Sequence, residues 1–447
     1  MPPMVPGHWL FQKVIPLARD FIGYLEKNRR EHGDIYYVEL RKHHICVVTE
    51  PQHIKYILQD NNKNYVKSFG YEVLQLFLGE GLLTSDGDFW LRQRRLAQPA
   101  FHKRRLAQLV KHMTGESRLL ADRWEGTAKQ SGSVDIQAEM MEVTMKIVAR
   151  ALFSANVDHD IPVISENIDR LNHFAITRIQ SPIRMPMWMP TLRSLVFKSS
   201  SQAVDDVLYR IISERRKDKE KGQKDDLLEM LMEAQDLDTG ETMTDQQLRD
   251  ECITIFVAGH ETTAITMTWM FHALAQNPEV YAKLKAELDE VLGEREPDLE
   301  DIPKLKYCRK VVDETLRLYP PGWLIGRKNL EDDTIGGYHI PADTNMLLCA
   351  FHTQRREDLW ERPNDFWPER WDTERVKNLP KMAYFPFGGG PRLCIGNNFA
   401  LMEMTILLAT LARRFQPHLV DEGDVGVNPL ITLHPKEKIE LKITASS

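Results

Sequence analysis

One cysteine in this chain lies in a loop of unusual composition. The stretch FPFGGGPRLCIGNNFA spans residues 385–400, and Cys394 stands just before a segment with helical spacing. Glycines allow positive φ angles and a close approach of the backbone to a bulky group, and they stand together at Gly388, Gly389 and Gly390. The dipole and unpaired N–H groups of a helix N-terminus favour an anionic sulfur, so a thiolate is expected. A thiolate can serve as a nucleophile, a redox centre or a metal ligand.

The residues around Cys394 do not support most of these uses. A nucleophilic cysteine needs a histidine base and a redox cysteine needs a resolving thiol, and the loop has neither. A glycine loop that binds phosphate needs the Walker lysine, which is also missing. On the residues alone two interpretations stay open, a structural buried cysteine and a single axial metal ligand.

A second candidate group lies in the apolar segment FVAGHETTAITMTW, residues 256–269. Its apolar residues predict a long helix that is buried at its middle. Ala258 and Gly259 are small, and a helical glycine costs roughly 1 kcal/mol relative to alanine, so we expect the space to be needed. Glu261 and Thr262 place a carboxylate and a hydroxyl beside that space. The alternative is a packing notch whose threonine hydroxyls bond back to the preceding turn.

A third group combines one carboxylate with two arginines. Glu314 and Arg317, in DETLRLYPPGW, are three residues apart on one helical face, where they can form a charge-assisted pair. Such a pair is ordinarily a solvated surface pair. Arg370 follows in the stretch FWPERW.

The spacing of the cysteine loop and the order of these motifs resemble the cytochrome P-450 family of haem-thiolate monooxygenases. The loop carries the pattern F-x-x-G-x-R-x-C-x-G at Phe387, Gly390, Arg392, Cys394 and Gly396. The resemblance implies that the cysteine is the proximal ligand of haem b iron, with O2 as a co-substrate. The lack of an N-terminal anchor is similar to the soluble, bacterial-type members.

The resemblance also implies roles for the other two groups. Glu261 and Thr262 match the acid–alcohol pair that delivers protons through water. Glu314, Arg317 and Arg370 match a buried triad that braces the core on the haem side. The role of the triad is structural support rather than proton transfer.

Further residues match positions that contact the cofactor. In WLRQRR, Trp90 and Arg94 match a W-x-x-x-R motif, and an indole N–H and a guanidinium suit the haem propionates. Arg327 and Arg392 match positions that commonly join them. For each arginine the alternative is a solvated side chain that covers a helix. The cofactor-binding set implied by the resemblance is Trp90, Arg94, Ala258, Gly259, Arg327, Phe387, Gly388, Arg392 and Gly396.

The substrate is the least defined part of the prediction. By resemblance, the pocket would be lined by Phe69, Leu78, Phe174, Phe256, Trp323, Leu324, Ile325 and Ile431. Apolar pockets of this kind bind fatty acyl chains, terpenoids, steroids and methyl ethers alike. We expect hydroxylation of a C–H bond in a small organic substrate, such as a fatty acid or another lipophile, or O-demethylation. The competing class is a haem-thiolate isomerase or dehydratase, or a haem-binding sensor without turnover.

Electrons are expected from a separate protein. No flavin or iron–sulfur module follows the cysteine loop, which favours a ferredoxin or flavodoxin with an NAD(P)H-dependent reductase. A basic cluster would steer such an acidic donor, or is a solvated face. The cluster consists of Arg92, Arg95, Lys103, Arg104 and Arg105.

Composition excludes several other classes. The chain has 447 residues, of which 42% are hydrophobic and 28% charged, as in an ordinary globular protein. A net charge of −7 gives no reason to expect nucleic acid. Five scattered cysteines indicate a reducing compartment. The first residues have neither a signal-length apolar run nor a membrane span, so we expect a surface strap and a cytoplasmic protein.

The elements that position these residues are predicted to be mostly helical. A hairpin is predicted at 35–49, and helical spacing covers 51–292 with loops at 67–73, 180–190 and 236–245. Short β runs follow residue 324, a helix returns at 398–415, and a final β pair is predicted within 430–443. The fold class is therefore mainly α (α+β), and the resemblance implies the cytochrome P-450 fold with a long central helix crossing the haem. We expect one domain over 1–447, with β-rich parts near 30–50, 325–360 and 425–445 and helical parts near 51–320 and 395–415.

Overall fold

Helices account for most of the regular structure. The computed structural model describes residues 1–40, 43–130, 132–154, 159–181, 186–217, 226–236 and 240–446. The mainly α fold class is confirmed. The helices are α1 Ile15–Arg19, α2 Phe21–His32, α3 Pro51–Lys55, α4 Phe69–Leu78, α5 Gly87–Ala97, α6 Lys103–Leu106, α7 Val110–Lys129, α8 Ile136–Phe153, α9 Ile161–Gln180, α10 Leu192–Lys217, α11 Leu227–Glu233, α12 Asp245–Gln276, α13 Pro278–Leu292, α14 Lys306–Leu318, α15 Ala350–Thr353, α16 Glu374–Lys377 and α17 Asn397–Arg414.

The strands are short and form small sheets. They are β1 Ile35–Leu40, β2 His43–Val48, β3 Tyr65–Lys67, β4 Ser133–Asp135, β5 Leu324–Asn329, β6 Asp333–Ile335, β7 Tyr338–Ile340, β8 Asn345–Cys349, β9 Phe415–Leu419, β10 Val427–Pro429, β11 Leu433–Pro435 and β12 Glu440–Ala445. One sheet has the order β1-β2-β8-β5-β3 and another the order β4-β12-β9, while β6 pairs with β7 and β10 with β11.

The first of two compact units is built around the larger sheet. It comprises residues 1–72, 314–394 and 427–434. Strands β1 and β2 form an antiparallel hairpin, and β2 runs parallel to β8. The sheet is buried on both faces, since Tyr36 packs into one apolar cluster and Tyr37 into another. Burial on both faces explains why the sequence of β1 is a nearly continuous apolar run rather than an alternating one.

The start of the chain covers the outer edge of this sheet. The N–H of Val5 donates to the carbonyl of Tyr37, and the N–H of Tyr37 donates to the carbonyl of Pro3. Strand β1 is the terminal strand of its sheet, so these bonds occupy backbone groups that would otherwise face solvent. The prediction of a surface strap is confirmed.

The second unit is built around α12. It comprises residues 73–313, 395–426 and 435–447. Helix α12 begins with a capping box in which the side chains of Thr244 and Gln247 each bond the other's backbone N–H. It packs most extensively against α8, and α7 packs against α17. No helix in the described ranges combines the length and the apolar character needed to cross a bilayer.

Several predicted elements are confirmed and some are corrected. The hairpin is confirmed, and α17 begins and ends within one residue of its predicted bounds. The predicted loop at 67–73 is wrong beyond Ser68, because FGYEV has an apolar spacing that opens α4. The final β pair is also wrong: β12 pairs with β4 and β9, and β11 pairs with β10. Residues 182–185 and 237–239 of the other two predicted loops lie outside the described part of the chain.

Candidate functional site

The glycine loop has the positive φ angles that its sequence predicts at two of three positions. Gly388 and Gly390 have φ of 72° and 67°, whereas Gly389 is extended. A Cβ on Gly390 would lie 1.9 Å from the carbonyl oxygen of Leu58, so the close approach at this position is to the protein's own backbone. The loop closes with a hydrogen bond of 3.0 Å from the N–H of Cys394 to the carbonyl of Phe387.

Cys394 differs from the other cysteines in exposure. Cys46, Cys252, Cys308 and Cys349 are fully buried. Burial raises the pKa of each of these thiols, that of Cys349 to about 12. Cys394 is exposed and stands three residues before the first residue of α17. Its sulfur is therefore accessible to an external group, as a metal ligand must be.

Helix α12 carries an open notch on one side. Every residue from 248 to 274 is buried except Ala258, Gly259 and Thr262. The Thr262 hydroxyl donates to the carbonyl of Ala258 at 2.8 Å, as the packing interpretation predicts. A Cβ on Gly259 would lie 2.7 Å from Cγ2 of Val148 in α8, so close helix packing requires this glycine. Ala258 and Thr262 are left to border the open space.

Glu261 is buried beside the notch and has a partner on another helix. Its side chain is 7% exposed, and its Oε2 accepts a hydrogen bond of 3.0 Å from Nδ2 of Asn172 in α9. Asn172 was not predicted from the sequence, because no local pattern relates residues 89 positions apart. The adjacent His260 is bonded within its own helix, Nδ1 to the Phe256 carbonyl.

Glu314, Arg317 and Arg370 form a buried ionic network. Glu314 and Arg317 are 0% exposed and Arg370 is 1% exposed, which excludes the solvated pair. Arg317 donates to both carboxylate oxygens, at 2.9 and 3.1 Å, and Arg370 Nε donates to Oε1 at 2.8 Å. The guanidinium groups also donate to backbone carbonyls, among them that of Asp365. Burial and the neighbouring Arg317 lower the pKa of Arg370.

The residues matched to propionate contacts occupy defined positions in each unit. Trp90 and Arg94 lie one turn apart on α5, where Trp90 is buried and Arg94 is partly buried. Arg327 is buried on β5 and donates to the carbonyl of Gly326. Arg392 lies in the single turn Gly390–Arg392 of the cysteine loop and is partly buried. Within that loop, Phe387 and Gly396 are likewise partly buried.

The expected pocket residues fall into two groups. Leu78, Phe256 and Trp323 are buried, and the Trp323 indole N–H donates to the Leu430 carbonyl inside an apolar cluster of the first unit. The others are partly buried and keep accessible apolar surface. They are Phe69, Phe174, Leu324, Ile325 and Ile431.

Two arginines of the basic cluster are neutralised by acidic residues. Arg92 donates to Glu241 at 3.0 Å, and Arg95 donates to the buried Asp236 at 3.3 Å. Arg105 is exposed, and the side chains of Lys103 and Arg104 lie outside the described part of the structure. The positive patch expected from the sequence is therefore smaller than the count of its cations indicates.

Glu403 is a buried carboxyl on α17 for which the sequence indicated no unusual state. It is fully buried, and neither oxygen has a hydrogen-bond partner of good geometry in the described chain. Burial raises its pKa well above the usual range, and Thr263 of α12 lies beside it. The neutral acid is the form that such a position favours.

The donor set fits a haem held by one thiolate. Among the residues that the structure describes, no cluster of three or more His, Cys, Asp or Glu side chains could hold a metal ion. An exposed cysteine on a preformed loop supplies the soft single ligand that haem iron accepts. On α12, Ala258 and Thr262 keep accessible surface, and the buried Glu261 lies next to Thr262.

Comparisons with known proteins agree with this arrangement. The family model described as Cytochrome P450 matches residues 2–443. Cyclooctatin synthase of Streptomyces melanosporofaciens is 34% identical over 90% of this chain and 87% of its own length. Cyclooctat-9-en-7-ol 5-monooxygenase of the same organism is 32% identical over 86% and 83%. A crystal structure of a cytochrome P450, CYP102L1, superposes with a TM-score of 0.88 at 27% identity, covering 100% of this chain and 99% of that one.

Proposed function

The chain belongs to the cytochrome P450 family and is a monooxygenase, and from this premise we propose that it inserts one oxygen atom of O2 into a C–H bond of a lipophilic substrate. Members of the family act on organic substrates with electrons from a redox partner. One relative is named as a monooxygenase of cyclooctat-9-en-7-ol, an unsaturated alcohol. Partly buried aromatic and aliphatic side chains at Phe69, Phe174 and Ile325 support an apolar substrate.

The exposed sulfur of Cys394 is the observation that carries this proposal. Haem b bound through that sulfur would supply the activation of O2, which no amino-acid side chain can perform. The residues we assign to its propionates are Trp90, Arg94, Arg327 and Arg392, because carboxylates removed from water need cationic or N–H partners. Phe387, Gly388 and Gly396 complete the cysteine side.

Glu261 and Thr262 are the residues that we assign to proton supply. The Thr262 hydroxyl borders the open notch, and the Glu261 carboxyl is buried beside it. A carboxyl that exchanges protons with water and a hydroxyl that orients a water molecule can together move protons into a closed site. We expect Thr262→Ala to retain substrate binding but to consume several times more reductant per product formed.

The assignment of Cys394 as the iron ligand is tested by the absorption spectrum of the reduced protein with carbon monoxide. In this spectrum a thiolate-ligated haem absorbs far to the red of a histidine-ligated one. We expect Cys394→Ala to lose this band. Cys308→Ala, a change of the same type at a buried thiol, should keep it. Survival of the band in Cys394→Ala would overturn the assignment.

Substrate and partner need separate experiments. Displacement of water from the haem shifts its spin state, so compounds can be screened spectroscopically before turnover is achieved, and we expect lipophiles to give the shift. We also propose a ferredoxin or flavodoxin with its reductase as the electron donor, and the two donors can be compared in reconstituted turnover.

The five cysteines form no disulfide, which supports the reducing cytoplasm that we propose as the location of the protein. Product formation without O2 would contradict the proposed reaction.

A further inference from the structure

The carboxyl of Glu261 is held by a helix other than its own. Asn172 of α9 donates Nδ2–H to Oε2 of Glu261 in α12 at 3.0 Å. Both helices belong to the second compact unit. Because Glu261 is buried, a well-formed hydrogen bond has a large influence on where its carboxyl points.

Asn172 differs in this respect from its neighbours on α9. The amide of Asn167 donates to the Val163 carbonyl at 2.8 Å, and the hydroxyl of Thr177 donates to the His173 carbonyl at 2.8 Å. Both of these polar groups are satisfied within their own helix. The amide of Asn172 instead links α9 to α12, and it is the same residue type as Asn167 in a different role.

A neutral amide is a suitable holder for a group that must gain and lose protons. An arginine or lysine at this position would stabilise the charged carboxylate and depress its proton affinity. An amide orients the oxygen with a smaller bias toward the charged form. A second carboxyl on the same side of α9, Asp169, has its pKa raised by burial and by the charge of Glu261, while His260 opposes that rise.

Helix α9 also carries a residue of the proposed pocket. Phe174 follows Asn172 by two positions, and its ring packs against Phe197 of α10 with centroids 4.5 Å apart. A substrate that contacts Phe174 therefore acts on the helix that holds Glu261. The hydrogen bond offers a mechanical connection between pocket occupancy and the proton-supplying carboxyl.

We propose that Asn172 is a positioning residue for Glu261, so that proton supply depends on the position of α9. The inference rests on the proposed role of Glu261 and adds to it. Asn172 is not itself assigned a catalytic role. It acts through the carboxyl that it orients.

The test compares Asn172→Leu with Asn167→Leu, the same change on the same helix. We expect Asn172→Leu to lower product formed per reductant several-fold, while substrate affinity and the carbon monoxide band are kept. Asn167→Leu should leave this ratio at the wild-type value. The shorter donor in Asn172→Ser provides a second variant, and Asn172→Gln should restore part of the ratio. Wild-type coupling in both Asn172→Leu and Asn172→Ser would overturn the proposal.

An infrared measurement gives a readout that needs no turnover. The carboxyl signal that disappears in Glu261→Gln is followed in the resting protein as a function of pH. We expect its titration to shift in Asn172→Leu and not in Asn167→Leu, and an unshifted titration in Asn172→Leu would contradict the proposal.

A double-mutant cycle separates the positioning role of Asn172 from the proton role of Glu261. In the Glu261→Gln background, Asn172→Leu should cause no further loss of coupling, and additive losses would overturn the positioning role. Wild-type coupling in Glu261→Gln alone would instead refute the proposed proton role of Glu261 itself.

Discussion

At the scale of single residues, the structure distinguishes charges that face solvent from charges that are buried. Glu314 binds two guanidinium groups, and the rings of Trp360 and Trp367 lie 5.2 and 5.0 Å from Arg317 and Arg370. The carboxylate of Glu314 is thus paired with two guanidinium groups, each of which also packs against an aromatic ring. Removing it would leave two buried cations without their anion.

We expect Glu314→Gln to lower the free energy of unfolding by about 3–5 kcal/mol, the usual cost of breaking a buried ion pair. Urea denaturation followed by circular dichroism measures the change. The matched control is Glu374→Gln, which removes an exposed partner of Lys377 and should cost at most about 1 kcal/mol. Equal effects of the two changes would contradict a special role for the network.

At the scale of elements, α12 shows how one helix position serves packing and another borders the open space. Gly259 faces Val148 of α8, while Ala258 and Thr262 are left accessible. In an isolated helix, alanine would be favoured over glycine by up to about 1 kcal/mol. Here a Cβ at position 259 would meet the branched side chain of Val148, which has little freedom to move. The steric overlap is therefore expected to outweigh the gain in helix propensity.

We expect Gly259→Ala to destabilise the protein by about 1–3 kcal/mol, as overpacking does in other cores. Adding Val148→Ala should recover part of that loss, although Val148→Ala alone leaves a cavity and is itself destabilising. The thermal midpoints of the two single variants and the double variant measure the coupling. Strict additivity would show that Val148 is not the obstacle.

The sequence predicted the long helix, the cysteine loop and the members of the ionic network, because each depends on local spacing or on a motif. It did not predict that Gly259 packs against Val148, that Asn172 reaches Glu261, or that Asp236 and Glu241 neutralise two arginines. These contacts join segments far apart in the chain, and no local periodicity encodes them. The strand partners of β12 were missed for the same reason, since its own pattern shows a strand but not its neighbours.

At the scale of the whole molecule, two buried histidines link stability to pH. The pKa of His272 and of His352 is lowered from 6.5 to about 4, chiefly by burial. Between these values the unfolded chain binds more protons than the folded one, so stability is complete above about pH 6.5 and declines as the pH falls toward 4. One domain over residues 1–447 stays a prediction at this scale.

We expect the free energy of unfolding to fall between pH 7.5 and 5, with His272 contributing on the order of 1–2 kcal/mol of the loss. In His272→Phe the ring contact with Trp269 can be kept while the titration is removed, so the slope with pH should be shallower. Urea midpoints of the wild type and of His272→Phe at pH 7.5 and pH 5 measure this slope. An unchanged slope would exclude His272 as a contributor.

The strap formed by the first residues has a practical consequence for anyone who handles the protein. Pro3 and Val5 occupy the outer hydrogen-bonding groups of Tyr37 on strand β1. Removing residues 1–6 would expose a strand edge that another molecule can extend. Light scattering should then show self-association that rises with protein concentration, and an unchanged scattering signal would contradict this role of the first residues.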